Sequence, residues 1–400
     1  MKRHFSFILF SFCLSCNAQH QQKELPLDGS YYVIDLDDKK EVSLPLSLYF
    51  KNAQTIILET SKDCLIGDIN EFQVFNGYIY VLDAYKAKSL YVFDIEGKFL
   101  RKIGTLGRGP GEYIQITDFT LDTENMFIFV NDWGNRIHKY QLDGTYVNSI
   151  NLQAMGASIR SIQYYNSRLY LDVLPWDADN DKYMLVEIDP DDGKIHSRSL
   201  PLRYNKGWSE GYNKGESFFK SRLNTPPRYT QLFMSYVISV GETITPYIEL
   251  KSKHLVTDND IRNLPPRERS HSERFSRSFR GRSKIWNVNS FVENDDFIIF
   301  RYEIEFLSYN TVVFNKKTEI ANIAGFLSND LIFRRDRDGI FGRFHFSDTR
   351  GAYQILHPDL LNKIKMSIRR NEVVSSLDKA DLLLKLNEDS NPVIFFYEFK

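Results

Sequence analysis

This sequence of 400 residues has almost no excess of charge of either sign, and it lacks compact catalytic motifs. Lysine and arginine total 51 against 52 aspartate and glutamate residues, so the formal net charge is −1. This balance gives no electrostatic reason to expect nucleic acid as the partner. The sequence also lacks His-Glu-x-x-His, Gly-x-Ser-x-Gly and the Cys/His spacing of a zinc site. These absences exclude the common local active-site motifs, but not a site assembled from separate repeats.

The chain opens with a segment that has the composition of an export signal. Lys2 and Arg3 precede an apolar run from Phe5 to Leu14. This run is too short to span a bilayer and has the length of a secretory h-region. It predicts an exported chain that works in the periplasm or at the outer membrane.

Cysteine is rare, and its positions suggest a lipid anchor rather than disulfides. The residues Cys13-Leu14-Ser15-Cys16-Asn17 resemble a bacterial lipobox with Cys16 as the acylated residue, although Cys13 stands where leucine is usual. Cleavage after Ala18 is the alternative. Processing would leave Cys64 as the one free thiol, so no disulfide framework is expected. Membrane contact is predicted through the anchor alone.

The sequence is rich in short alternating strands separated by tight turns, and one such unit occurs twice. The copies are Gly77–Gly104 and Met126–Ile150, and Glu96-Gly97 in the first matches the turn Asp143-Gly144 in the second. A spacing of roughly 48 residues filled with strands is typical of propeller blades. The 30 Phe and 23 Tyr residues suit such pleated, half-buried surfaces. We predict an all-β, six-bladed β-propeller, with seven blades as the alternative.

The predicted plan is a signal peptide over 1–18, a polar tether over 19–44 and one propeller domain over 45–400. Strands from the two ends of the chain often share a blade and thereby close the ring. Ile56-Ile57-Leu58 is therefore expected to pair with Val393–Phe399.

Three segments lack the blade pattern and are predicted to be insertions, at about 203–229, 258–285 and 358–390. The last of them shows apolar residues at helical spacing over Asp359–Arg370 and Leu377–Glu388. We expect short helices there, just before the final strand.

Several motifs give the chain a family resemblance. The glycine-rich link Gly104–Asp122, followed by Asp132–Ile137, resembles the NHL-type repeat. Together with Ile56–Thr60 and Asn391–Val393, the Gly-x-Gly-Pro-Gly-Glu-Tyr link Gly107–Tyr113 is similar to the six-bladed β-propeller lipoproteins of Bacteroidota. The resemblance implies the fold and the compartment, and it carries no assigned activity.

The link between the two copies supplies the first candidate ligand-binding residues. Its glycines fit neither the dinucleotide-binding nor the P-loop pattern, because Glu112 and Pro110 occupy positions where those motifs need other residues. A compact turn between blades is the favoured interpretation, with Glu112 and Tyr113 anchoring it. The alternative is that Arg108, Glu112 or Tyr113 contacts a ligand.

A second candidate group is Asp132, Asn135 and Arg136, which lie near a strand end in the second copy. In one interpretation, these charged groups only pair with one another and so hold a blade corner. Ligands of propellers, however, commonly bind where strand-end loops meet around the channel. Both interpretations stay open for these three residues.

Other candidates lie in the irregular segments. Asp177, Asp179 and Asp181 alternate as in a calcium loop, but Lys182 and Ile188 break the EF-hand pattern. A solvated acidic hairpin tip is the favoured interpretation, with a looser Ca²⁺ site as the alternative. Trp208, in the aromatic segment 204–229, is the strongest hint of sugar stacking, although a loop that packs its aromatics over a blade edge is the favoured interpretation. The arginine-rich stretch 262–284 is interpreted as a solvated loop, with an acidic glycan or a protein as the alternative partner.

These observations favour an exported, lipid-anchored propeller that binds a ligand or protein in the cell envelope, with a glycan or an envelope protein as partner. An enzyme is the less favoured interpretation. As the alternative function, residues dispersed over several blades would form a metal-assisted (Ca²⁺) hydrolase or lyase in the central channel.

Overall fold

The computed structural model describes residues 22–23, 30–38, 40–175, 183–201, 217–257, 259–260, 263, 279, 281–304, 308–335, 343–356 and 358–400. These residues form six sheets, each built on four antiparallel strands, and three of the sheets gain a fifth, parallel strand from the N-terminal segment. The sheets are the blades of a β-propeller, which confirms the predicted all-β, six-bladed fold.

We number the blades 1 to 6 in chain order and give the strands of each blade from the channel outward. Blade 1 comprises Glu71–Phe75, Tyr78–Asp83, Ser89–Asp94 and Phe99–Ile103; blade 2 comprises Ile116–Asp122, Phe127–Asp132, Arg136–Gln141 and Tyr146–Asn151; blade 3 comprises Ala157–Tyr165, Arg168–Pro175, Tyr183–Ile188 and Ile195–Pro201. Blade 4 comprises Phe218–Phe219, Arg228–Tyr229, Tyr236–Ser239 and Thr245–Lys251; blade 5 comprises Ile285–Glu293, Phe297–Ile304, Tyr309–Asn315 and Ile320–Ser328; blade 6 comprises Phe346–Ser347, Gly351–Leu356, Val393–Phe399 and Phe50–Ile57.

The two ends of the chain meet in blade 6, as predicted. Phe50–Ile57 pairs antiparallel with Val393–Phe399, and Ile56 lies opposite Ile394. The strand from the N-terminal part of the chain is therefore the outermost strand of the blade that the C-terminal part builds. Because this pairing joins the last blade to the chain that leads into blade 1, it closes the ring.

The N-terminal segment differs from the tether predicted over 19–44. Three short strands, Gln22–Lys23, Tyr32–Asp35 and Lys40–Pro45, pair parallel with the outermost strands of blades 3, 4 and 5. An outermost strand presents unpaired backbone N–H and C=O groups, which an added strand satisfies. We call this segment, residues 22–57, the belt, because it runs from blade 3 to blade 6 along the outer edges.

Segment 203–229, predicted to be an insertion, contributes two blade strands in its described part. Phe218–Phe219 and Arg228–Tyr229 are the innermost strands of blade 4, and their aromatic side chains are buried. They are only two residues long, so the alternating pattern that reveals longer strands is missing.

The helices predicted near the C-terminus lie at Pro358–Arg369 and Ala380–Lys385. Leu361, Ile364 and Leu383 are buried in the core of blade 6. No helix in the described part of the chain is long and apolar enough to cross a membrane. The remaining short elements are the 3-10 turns Leu46–Leu48 and Gln153–Met155 and the two-stranded ribbon of Thr105–Leu106 with Glu112–Tyr113.

The core consists of apolar clusters, several of which lie between neighbouring blades. One cluster joins Phe72 of blade 1 to Phe346 and Tyr353 of blade 6, and another joins Val92 of blade 1 to Ile128 of blade 2. Cys64 is fully buried in the first of these clusters. Aromatic rings bury large apolar areas, so this arrangement accounts for the high content of Phe and Tyr.

Two glycines in equivalent hairpin turns allow a matched test of this packing. Gly97 and Gly144 have φ values of +92° and +94°, but a Cβ on Gly97 would lie 2.2 Å from the Ile57 carbonyl oxygen, whereas the nearest atom to one on Gly144 is 3.4 Å away. We expect Gly144→Ala to lower the free energy of unfolding by about 1–2 kcal/mol, the cost of a left-handed backbone. Gly97→Ala should cost a further ~1–3 kcal/mol from steric overlap. Urea denaturation of both variants measures the difference, and equal losses would contradict the close approach of the belt to this turn.

Candidate functional site

A cavity of about 420 Å³ lies in the central channel, and every blade contributes to its wall. Its lining combines amides, hydroxyls and charged groups with aromatic rings. The lining includes Glu71, Asp118, Arg160, Lys220, Asn287, Asn289, Glu303 and Tyr85. Several of them lie at the start of an innermost strand, so the cavity occupies the end of the channel where these strands begin.

The chain that leaves the innermost strand of blade 4 crosses the channel and forms the floor of this cavity. We call residues 220–225 the plug. Lys220 contacts blades 1 and 2 through Glu71 and Asp118, and the Ser221 carbonyl oxygen accepts a hydrogen bond from Ser347 of blade 6 at 2.8 Å. The plug therefore touches three blades other than its own within its first two residues.

The rest of the plug continues across the axis. Arg222 forms an ion pair of 2.9 Å with Asp295 beside blade 5, and Leu223 packs against the apolar clusters of blade 1 with blades 2 and 6. Arg222 and Leu223 also line a second cavity of about 340 Å³, which includes the end of the innermost strand of blade 1. The plug therefore contributes to the walls of both cavities.

Lys220 is the charged centre of the cavity floor. Its ammonium nitrogen lies 2.6 Å from Glu71 Oε1 and 2.6 Å from Asp118 Oδ1, and it also donates to the Phe119 carbonyl oxygen at 2.5 Å. The side chain of Lys220 is 7% exposed and that of Asp118 is 4% exposed, whereas Glu71 retains 22%. Glu71 is therefore the carboxylate of this group that faces the cavity.

Glu71, Asp118 and Lys220 shift one another's pKa values. Burial, together with the nearby charge of Asp118, raises the pKa of Glu71 well above its usual range, although Lys220 acts against this. Burial also disfavours ionisation of Asp118, but Lys220 and hydrogen bonds from Glu71 and Ile162 outweigh it and lower the pKa of that carboxyl. Burial works against a charged Lys220 as well, but the two carboxyl groups raise its pKa. The two carboxyl groups therefore share the Lys220 cation, and Glu71 is the one whose ionisation is disfavoured.

The wall beside blade 3 is built in a similar way. Arg160 lines the cavity, and its guanidinium donates to Asp172 Oδ1 at 2.7 Å. Asp172 is fully buried and also accepts hydrogen bonds from Ser217, Tyr229 and Gln231 of the neighbouring blade 4. A buried carboxylate with this many donors is a rigid anchor, and it neutralises the charge of Arg160.

On blade 5 the lining is polar, and on blade 1 an aromatic ring stands at the rim. Glu303 accepts hydrogen bonds from the side-chain amides of Asn287 and Asn289 at 3.1 and 2.7 Å. Tyr85 lines the cavity and is 69% exposed. These groups can form hydrogen bonds to hydroxyls and stack on the flat face of a ring.

The residues of the glycine-rich link are placed outside this cavity. Glu112 accepts a hydrogen bond from the backbone N–H of Gly109 at 2.7 Å, and the Gly107 N–H donates to the Tyr113 carbonyl oxygen at 3.0 Å. Tyr113 is buried, whereas Arg108 is exposed. Glu112 and Tyr113 hold the turn together, and their contact with a ligand stays a prediction, as it does for Arg108.

Asp132 and Asn135 lie at the corner between blades 2 and 3 and also do not line the cavity. Asp132 accepts hydrogen bonds from the backbone N–H groups of Ile114 and Gln115. Asn135 Oδ1 accepts one from the Ile159 N–H of blade 3 at 3.0 Å, and its left-handed φ of 59° suits asparagine. Arg136 is half-buried at the start of its strand. Their role as ligand contacts stays a prediction.

Several predicted residues lie outside the described residues. They are Cys16, Trp208, Asp177, Asp179, Asp181 and most of the arginine-rich stretch 262–284. In the described part of the chain, no group of three or more His, Cys, Asp or Glu side chains is arranged to hold a metal ion. The Ca²⁺ site over 177–181 therefore stays a prediction.

Sequence reasoning missed the residues that line the cavity. Glu71, Asp118 and Lys220 are up to 149 positions apart, and the sequence does not show that three blades bring them together. The available signal was a charged residue beside buried aromatics, as in Asp118-Phe119 and Phe219-Lys220. Without the fold this signal does not distinguish a channel from a blade edge.

Comparisons with known proteins agree with this architecture. A family model described as "Domain of unknown function (DUF4934)" matches residues 31–398. No curated protein matches the chain. Among solved structures, a candidate exported protein from Bacteroides fragilis is similar over 93% of this chain and 100% of its own, with 15% identity and a TM-score of 0.69. A DUF4221 family member from Bacteroides vulgatus is similar over 88% and 97%, with 11% identity and a TM-score of 0.50. At these identities the similarity shows the fold.

Proposed function

The chain belongs to the DUF4934 family, and from its central cavity we propose that it is a binding module for a small, uncharged, hydroxyl-rich ligand of mono- to disaccharide size. The observation that carries the proposal is a cavity of about 420 Å³ walled by all six blades, in which Lys220 is paired with Asp118 and Arg160 with Asp172. Ligand pockets commonly measure ~300–1,000 Å³.

The charge pairing decides between classes of ligand. Lys220 is already balanced by Asp118, and Arg160 by Asp172. A charged ligand would have to break one of these buried pairs, which is costly because it leaves the displaced partner uncompensated. Asn287, Asn289 and Glu303 instead offer both donors and acceptors to hydroxyl groups, and Tyr85 offers a ring face at the rim.

We place this module outside the cytoplasm, anchored through Cys16. The proposal is supported by the export-type segment at Phe5–Leu14, by the lipobox-like residues that follow, and by the similarity to a candidate exported protein of Bacteroides fragilis. The partner is then an envelope glycan or a sugar released from one. Metabolic labelling with an alkyne fatty acid tests the anchor, and labelling that persists in Cys16→Ser would contradict it.

Thermal unfolding with a panel of sugars tests the binding proposal. We expect one neutral hexose, N-acetylhexosamine or disaccharide at 10 mM to stabilise the chain, by about 2.7 kcal/mol if the concentration is 100 times Kd. Asn289→Ala should abolish this stabilisation. Asn322→Ala, in the outermost strand of the same blade and outside the cavity lining, should retain it.

Two results would overturn the proposal. One is stabilisation by charged ligands but by no neutral sugar of the panel. The other is sugar-dependent stabilisation that Asn289→Ala leaves unchanged. The panel is repeated with Ca²⁺ and with a chelator, because a ligand effect that requires Ca²⁺ would favour the metal-assisted alternative.

A further inference from the structure

A chain of hydrogen bonds on blade 2 ends at an exposed serine. Ser149 Oγ lies 2.8 Å from His138 Nδ1, and the other ring nitrogen, His138 Nε2, lies 3.4 Å from Asp132 Oδ2. Asp132 and His138 are buried, with side-chain exposures of 3% and 2%, whereas Ser149 is exposed. A hydroxyl, an imidazole and a buried carboxylate in this order are the components of a serine nucleophile with its base and orienting group.

The backbone fixes these side chains relative to one another. His138 and Ser149 are directly paired across the third and fourth strands of blade 2, so their side chains project to the same face of the sheet. Asp132 ends the second strand, and its carboxylate is held by the Ile114 and Gln115 N–H groups. These hydrogen bonds, with the contact to His138, lower the pKa of Asp132 although burial opposes this. The orienting group is therefore ionised and immobile.

Access to Ser149 follows from the topology. In blades 3, 4 and 5 a belt strand covers the outermost strand, whereas blade 2 has four strands in the described part of the chain and Tyr146–Asn151 is its outer edge. Tyr146, on the same strand, places its hydroxyl 2.8 Å from Ser149 Oγ. The glycine-rich link packs beside it, since a Cβ on Gly111 would lie 2.9 Å from Tyr146 Cβ.

We propose that Asp132, His138 and Ser149 form an acyl-ester hydrolase site on the outer edge of blade 2, separate from the central cavity. The nucleophile is the Ser149 hydroxyl, the general base is His138 Nδ1, and Asp132 is a positioning residue that keeps the ring proton on Nε2. The Tyr146 hydroxyl is placed to donate to the oxygen that becomes negative during the reaction. An open, shallow site of this kind suits short acyl groups on an extended or polymeric alcohol.

The reaction needs water as its one co-reactant. Ser149 Oγ bonds to the ester carbonyl carbon while its proton passes to His138 Nδ1, and the C–O bond to the alcohol breaks as that proton moves to the leaving oxygen. The product of this half is an acyl ester of Ser149. His138 Nδ1 then takes a proton from water, the resulting hydroxide attacks the acyl carbon, and the carboxylic acid departs as the proton returns to Ser149 Oγ.

Covalent labelling and ester hydrolysis by the purified chain test the site. We expect a fluorophosphonate probe to label Ser149, as located by peptide mass spectrometry, and we expect p-nitrophenyl acetate hydrolysis above the buffer rate. Ser149→Ala should abolish labelling and reduce hydrolysis at least 100-fold, within the range of general-base effects. Since Ser149 is exposed, this substitution leaves the fold intact, which circular dichroism verifies. Ser376→Ala, at another exposed serine, should change neither signal.

The remaining variants separate the base from the positioning residue. His138→Gln should reduce both the labelling rate and kcat, because it removes the base. Asp132→Asn should lower kcat with little change in KM, and its melting temperature reports any loosening of the link. No labelling of the wild-type chain, labelling at another residue, or hydrolysis that survives Ser149→Ala would each overturn the proposal. None of these results bears on sugar binding in the central cavity.

Discussion

Replacing Lys220 by methionine is expected to destabilise the propeller by about 3–5 kcal/mol, the range seen when one partner of a buried ion pair is removed. The substitution keeps the volume of the side chain but leaves Asp118 buried without its cation. It also removes the contacts by which the plug reaches blades 1 and 2. Urea denaturation followed by tryptophan fluorescence measures the loss.

Lys317→Met is the matched control. Lys317 pairs with Asp296, but its side chain is 75% exposed, so the loss should be below about 1 kcal/mol. The double variant Lys220→Met with Asp118→Asn should recover part of the stability, since it removes the uncompensated charge. A loss for Lys220→Met as small as that for Lys317→Met would contradict the role of Lys220 as the centre of the channel floor.

Removing residues 393–400 is expected to prevent folding of the whole ring. The deletion takes away the third strand of blade 6, including Phe395 and Tyr397, which are 1% and 0% exposed. Phe50–Ile57 would then have no partner strand in blade 6, and apolar surface on both sides would be exposed. Truncating one buried aromatic side chain alone typically costs ~3–5 kcal/mol. Circular dichroism and size-exclusion chromatography should show an unfolded or aggregated chain.

Deleting only Lys400 provides the control for this truncation. Lys400 is exposed and contributes a single backbone hydrogen bond to the Tyr49 carbonyl oxygen, so its removal should leave the melting temperature almost unchanged. A soluble, cooperatively unfolding chain without residues 393–400 would show that the ring does not depend on the pairing of its two ends.

The blades were predictable from sequence where the signals are local. The hairpins at Gly97 and Gly144 combine an alternating pattern with a glycine that adopts positive φ, and both properties are fixed within a few residues. The closing strand Val393–Phe399 was predictable because it is long and apolar. Phe218–Phe219 and the first three belt strands, Gln22–Lys23, Tyr32–Asp35 and Lys40–Pro45, were not, since short strands become regular only by pairing with a distant partner.

The sites depend on a different kind of information. Lys220, Glu71 and Asp118 meet because blades 4, 1 and 2 surround one axis, and no spacing in the sequence encodes that distance. The pairing of His138 with Ser149 was easier to predict from the sequence, because a hairpin that turns at Asp143-Gly144 brings these two positions opposite each other. The contribution of Asp132 still required the second strand of the blade. The sequence indicated Asp132 as a candidate ligand contact or a residue that holds a blade corner, and the structure supplies its neighbours.

If the proposed lipid anchor is present, the belt sets how far the propeller stands from the membrane. Its first strand begins at Gln22, against the outermost strand of blade 3. If Cys16 carries the lipid, five residues separate it from Gln22, and these six residue steps span at most about 20 Å when fully extended. The edge of the ring at blade 3 would then lie beside the lipid headgroups. A partner could therefore reach blades 1 and 2 more easily than blade 3.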